Sequence, residues 1–251
     1  MHLQYIQLDD RLDAALTLER RAFDSTRRDF RQRYLLGWIY HELGLEGIPL
    51  SEQDLRRALA GHDGDHYREG VAFNSIRRMR DTIVMLTDRA FKRGVITVDT
   101  ILAYHRSLTA LEGNSIWRTD EGATEQYKHD TIDASRIHVE LEKLCADIQR
   151  WTGLRHPLEI AIQTHYRLTH IWPFERFSAA VARMISNEIL LTHGYPPALL
   201  HLHDRQRYYH AMHYDVSRLQ ELVLESLNDQ IALRERVFAP RSAPRHEVRA
   251  Y

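Results

Sequence analysis

The chain has 251 residues, 43% of them hydrophobic, which is enough to bury one sizeable core, and nothing in its composition requires a second. Thirty-four basic against 35 acidic residues leave no general electrostatic attraction to nucleic acid or to an anionic membrane. A single cysteine, Cys145, excludes an internal disulfide, and no apolar run approaches the roughly 20 residues that span a bilayer. The opening MHLQYIQLDD lacks the basic start and apolar run of a cleaved secretory signal. Cytoplasm is the expected location, although export without a cleaved signal leaves no mark in a sequence.

Apolar residues recur at helical spacing along almost the whole chain. The pattern predicts helices over 10–43, 52–60, 68–93, 98–111, 137–151, 157–171, 178–192, 204–213 and 216–235. In the fifth of these, Ile137, Leu141, Leu144, Ile148 and Trp151 share one face. Breaks fall at Gly44 to Pro49, Gly61 to Gly64, Gly94, Gly113 to Thr131, Gly153 to Pro157 and Gly194 to Pro197. Ser51 with Asp54, Thr97 and Asp133 stand where helix N-caps are expected. An extended piece is expected around Leu199 to Leu202, and a short β-hairpin is the one candidate for strand structure, within 113–131. The fold class is therefore all-α. The expected organisation is an N-terminal helical extension over 1–34, a main domain over 35–237 and a flexible tail over 238–251.

The stretch from Thr164 to Arg183, THYRLTHIWPFERFSAAVAR, carries the most information about function. It resembles the core of the Fic (Fido) family, HPFxxGNGRxxR, here written WPFERFSAAVAR. Pro173, Phe174 and Arg183 match, and the flanks HPLEIAIQTHYRLTHI, SNEILLTHGYPP and DRQRYYHAM, with LEGIPLSEQDL and EGVAFN upstream, are similar to the family's surroundings in the same order. The resemblance covers residues 35 to 225. It implies the Fic helical fold and descent from enzymes that transfer AMP to proteins.

Position by position, the resemblance places altered chemistry at the core. A histidine at its first position would take a proton from an attacking hydroxyl, which needs a base with a pKa near 6.5. Trp172 stands there, and an indole only donates. The family's acidic residue, which holds magnesium on the phosphates, corresponds to Arg176, a cation that cannot ligate a metal. Phe177, Ser178 and Ala179 replace the glycine, asparagine and glycine whose backbone N–H groups close around a diphosphate at a helix N-terminus. Of these, Ser178 keeps a hydroxyl that could cap the helix. Ala180 replaces a phosphate-contacting arginine. No metal and no cofactor are expected. Loss of a general base alone lowers a rate by about 10²- to 10⁴-fold.

Two further elements follow from the resemblance. LEG at Leu45, Glu46 and Gly47 is similar to the helix whose glutamate blocks ATP by pairing with the motif's last arginine, so Glu46 and Arg183 are the implied inhibitory-type pair; Glu42 replaces the serine or threonine usual four residues earlier. Trp117 and Arg118 stand at the start of the segment where the family carries a flap that docks the target chain, with a plain surface loop as the equal alternative.

The functional expectation is a degenerate Fic-fold protein that no longer transfers AMP and acts by binding or regulating another protein. The alternative is an enzyme with metal-independent chemistry in a remodelled pocket formed by Trp172, Phe174, Glu175, Arg176, Ser178, Arg183 and His170, taking a small or nucleotide-like ligand. There Arg176 and Arg183 would bind an anionic leaving group while Glu175 or His170 moves the proton. The HxHD at His201, His203 and Asp204 does not have the spacing of a tetrahedral metal site, and the arginines between Arg20 and Arg33 are interleaved with acids as on a solvated face.

Overall fold

A computed structural model describes residues 2–109, 117–119, 127 and 129–239. Among them are ten α-helices: α1 (His2–Arg21), α2 (Asp24–Leu45), α3 (Glu52–Leu59), α4 (Tyr67–Phe91), α5 (Val98–Thr109), α6 (Ile137–Trp151), α7 (Pro157–Ile171), α8 (Ser178–Thr192), α9 (Arg205–Tyr214) and α10 (Val216–Phe238). The described residues contain no strand. The segment read as a hairpin lies mostly outside them, as does the tail from residue 240.

The expected single helix over 10–43 is two helices, parted at Ala22 and Phe23, where the Ala22 N–H turns back to the Glu19 carbonyl at 3.2 Å. No glycine or proline marks this break. The three expected caps are present. Ser51 and Asp54 form a reciprocal capping box on α3, the Thr97 hydroxyl accepts from the Thr100 N–H, and Asp133 accepts from the Ser135 N–H. Two further caps are imidazoles: His66 receives the Glu69 N–H on α4, and His156 receives the Leu158 N–H on α7. Ser51→Ala is expected to lower stability by about 0.5–2 kcal/mol, read as a shift in the denaturant midpoint with unchanged slope; an unshifted midpoint would show that the box is idle.

The chain divides into two units, Tyr34–Leu227 and a smaller one built from Met1–Arg33 with Asn228–Tyr251. In the smaller unit Arg11 reaches both Asn228 and Glu235, Arg234 pairs with Glu19 at 3.3 Å, and Phe30 meets Phe238 edge to face.

The larger unit is organised around the pair α7 and α8, with α4 and α5 against α8 and α6 against α7. Every residue of α8 from Ser178 to Leu190 is buried, so this helix has no solvated face. Its polar members are satisfied internally. The Glu188 carboxylate receives the Tyr104 hydroxyl and Arg89 Nε, Asn187 exchanges two hydrogen bonds with the Ala198 backbone, and the Ser186 hydroxyl donates to the Ala161 carbonyl. A buried, fully bonded helix is a rigid base, and the WPFERF loop hangs between it and α7.

Candidate functional site

Trp172 ends α7 in the left-handed conformation, φ 46°, with its N–H 3.1 Å from the Leu168 carbonyl. Phe177, the residue before α8, is left-handed too, φ 64°. For a side chain with a Cβ each such residue costs roughly 1–2 kcal/mol, so the loop is held from outside. Arg118 is the clamp: its Nε donates to the Trp172 carbonyl at 2.7 Å, its backbone N–H to the Pro173 carbonyl at 3.0 Å, and its Nη2 to the carbonyls of Ile132 and Ile171. Phe174, fully buried, lies between the rings of His105, stacked at 3.8 Å, and Trp117, at 5.5 Å.

Ser178 does not cap α8. Its hydroxyl sits 2.8 Å from both the N–H and the carbonyl of Phe174 and closes the loop on itself. Ala179 and Ala180 are buried immediately behind it. At this helix start a hydroxyl bonded to Phe174 and the buried Phe177 ring take the places where the resemblance puts a phosphate cradle.

One turn deeper, Arg183 is among the largest fully buried side chains. Its Nε donates to Glu42 at 2.6 Å and its Nη2 to Glu46 at 2.8 Å; Nη1 lies 3.5 Å from the Tyr208 hydroxyl. The geometry therefore joins Glu46 to Arg183 and adds a second, more deeply buried carboxylate. Burial raises the Glu42 pKa above the usual carboxylate range while Arg183 pulls against it. Burial disfavours the Arg183 charge, yet Glu42, Tyr208 and Glu46 together hold its pKa well above the ordinary value. The carboxylates ride on the end of α2, where Gly47, φ 78°, completes the turn with the Ile48 N–H on the Leu43 carbonyl.

An aromatic layer covers this cluster. Tyr127 is buried, with its ring 5.0 Å from Trp172, 5.7 Å from Tyr208 and 4.5 Å from Tyr209. Tyr209 donates to the Leu45 carbonyl, and the Tyr208 hydroxyl meets His165 Nε2 at 2.8 Å. His129 lies edge-on to Trp172 and 4.5 Å from the ring of His170.

The residues of the remodelled-pocket reading are not gathered around one cavity. Glu175 and Arg176 are exposed and, with Phe177, line a cavity of about 370 Å³ whose walls do not include Trp172, Phe174, Ser178, Arg183 or His170. His170, half-buried, bonds through Nδ1 to the Tyr166 carbonyl at 2.8 Å, and burial lowers its pKa. Arg118 is likewise buried and committed to backbone carbonyls, so it presents no guanidinium to a docking chain. The rest of the flap segment, apart from Trp117–Thr119, Tyr127 and 129–131, lies outside the described residues. Among the described residues no group of three or more histidine, cysteine, aspartate or glutamate side chains could hold a metal ion, and no helix is long and apolar enough to cross a membrane.

No family model matches the chain. Curated proteins do. It is 25% identical over 217 residues to the protein adenylyltransferase Fic of Culex quinquefasciatus, covering 82% of this chain and 41% of that one. With the same-named protein of Drosophila grimshawi it shares 27% over 209 residues, covering 82% and 42%. The chain thus spans about two-fifths of the length of these relatives. Among solved structures it superposes on a Fic-domain-containing signalling protein of Bacteroides thetaiotaomicron with TM-score 0.76 at 16% identity, covering 92% of this chain and 97% of that one. On Fic-1 of C. elegans the TM-score is 0.72 at 23% identity, covering 91% and 72%. A more distant likeness, TM-score 0.52 at 14% identity over 91% and 70%, is to IbpAFic2 solved in complex with adenylylated Cdc42. The helices around the WPFERF loop are those of the Fic fold. The chain has the Fic helical fold and is related to Fic-type protein AMP transferases.

Proposed function

We propose that this protein does not transfer AMP and works by binding, as a partner or regulator of another protein. The observation that carries the reading is the state of the α8 N-terminus. Catalysis of the family's kind needs a proton acceptor, a metal ligand and free backbone N–H groups converging on phosphate. Trp172 supplies no acceptor, Arg176 no ligand, and the loop is closed by the Ser178 hydroxyl and the buried Phe177. Arg183, the last cation of the motif, is engaged by two carboxylates. That a neighbour in fold was solved bound to Cdc42 agrees with a protein as the partner.

The enzyme reading needs Arg176 and Arg183 to serve one ligand, and their different surroundings weigh against it.

Calorimetry with ATP and magnesium is expected to show no saturable binding, and labelled AMP is expected not to enter candidate proteins. Trp172→His, which restores only the base, is expected to remain inactive. Transfer by the unaltered chain that is abolished by Trp172→Ala would overturn the proposal.

A further inference from the structure

The cavity beside residues 175–177 lies between α4, α5 and Trp117. Arg78 and Arg176 both line it. The Arg78 Nη1 donates to the Thr109 carbonyl, and Arg176 lies over the Phe177 ring at 5.4 Å with no ion-pair partner among the described residues. Glu175 adds an exposed carboxylate, also without an ion-pair partner among them. Trp117 and Leu108 supply apolar wall.

His105, 2% exposed, completes the lining. Its Nδ1 is buried without a hydrogen-bond partner. Burial lowers its pKa to about 4, so at neutral pH the ring is neutral, and in the tautomer protonated at Nε2 this nitrogen accepts a hydrogen bond.

We infer that this cavity is a binding site for a small organic anion, a carboxylate or phosphate monoester, that also carries an ammonium or hydroxyl donor. The anion faces Arg78 and Arg176, whose planar guanidiniums suit two-point contact with either group. The donor faces Glu175 and the His105 nitrogen, and the carbon skeleton lies against Trp117. A volume of about 370 Å³ is at the small end of ligand pockets and fits an amino-acid-sized molecule. The inference stands independently of whether AMP transfer is lost.

The test is calorimetric titration of the full chain with L-glutamate, O-phospho-L-serine and inorganic phosphate. Saturable binding of at least one of the two organic probes, tighter than that of inorganic phosphate, is expected. Arg176→Gln, at an exposed position, is expected to weaken it by about tenfold or more, equivalent to about 1.4 kcal/mol, and Arg78→Gln to do the same. Arg207→Gln, in a different cavity lined by Tyr127, His210 and Arg218, is expected to leave it unchanged. Should Arg78→Gln fail to fold, Arg176→Gln and Arg176→Lys carry the test. Absence of saturable binding, or affinity unaltered in the Arg176 variants, overturns the inference. ATP–magnesium binding that survives Arg176→Gln would instead count against the proposed function.

Discussion

Arg183→Met is expected to lower the folding free energy by about 3–5 kcal/mol, the cost typical of removing one partner from a buried ion pair. The guanidinium is 2% exposed, and its loss strands Glu42, also 2% exposed, with no cation and no solvent to replace it. Glu46 retains some access to water, so the two carboxylates are unequal. Glu42→Ala should therefore be the more damaging of the single carboxylate changes. Replacing Glu42 by leucine and Glu46 by glutamine in the Arg183→Met background is expected to recover most of the loss, because no buried charge then remains unpaired. Urea unfolding of Arg183→Met, Glu42→Ala, Glu46→Ala and the triple variant checks the series. A loss below about 1 kcal/mol for Arg183→Met would show that the cluster is not a structural pin, against the usual cost of a broken buried pair.

Acid is expected to destabilise the protein well above the pH at which carboxylates titrate. His105 and His129 are held near pKa 4 and His165 near 3, in each case first by burial, with neighbouring cations such as Arg183 adding to the effect at His165. All three are 2–3% exposed. A histidine whose folded pKa lies below its unfolded value of about 6.5 binds its proton more readily when unfolded. Its contribution is complete above that value and is lost as the pH falls toward the folded pKa, at about 1.4 kcal/mol per pH unit per histidine. Between pH 7.5 and 5.0 the three together should remove on the order of 6 kcal/mol. Denaturant midpoints at the two pH values test this, and His129→Gln should flatten the dependence. Equal stability at both pH values would mean that these rings are not neutral in the folded chain.

Much of the fold was legible because it rests on periodicity and capping, which are local. The face of α6 through Ile137, Leu141, Leu144, Ile148 and Trp151 is buried as its spacing predicts. What was not legible depends on tertiary position. The break at Ala22 and Phe23 carries no turn residue, and histidine caps such as His66 and His156 are not distinguishable from ordinary surface histidines in a chain with 16 of them. In the site, the resemblance pointed to Glu46 and Arg183 but treated Glu42 as a departure. Glutamate at that position sits one helical turn before Glu46, on the same face, and this i, i+4 spacing was the available signal. The Ser178 bond to Phe174 and the Arg118 clamp depend on loop geometry that no pattern of residue types encodes. The packing of Tyr127 on Trp172 brings together residues 45 positions apart, and Tyr127 stands in a stretch for which the periodicity predicts no helix.

The two left-handed residues that bracket the loop make the site hard to rebuild one change at a time. Phe177→Gly would relieve a backbone penalty of roughly 1–2 kcal/mol but empty a space filled by a buried ring, a loss of about 3–5 kcal/mol. Trp172→His similarly exchanges a large ring packed against Tyr127 and His129 for a smaller, more polar one. Each intermediate is expected to be less stable than its parent, so the loop's bulky residues act as mutual supports, and opening the N-terminus of α8 would take several replacements made together.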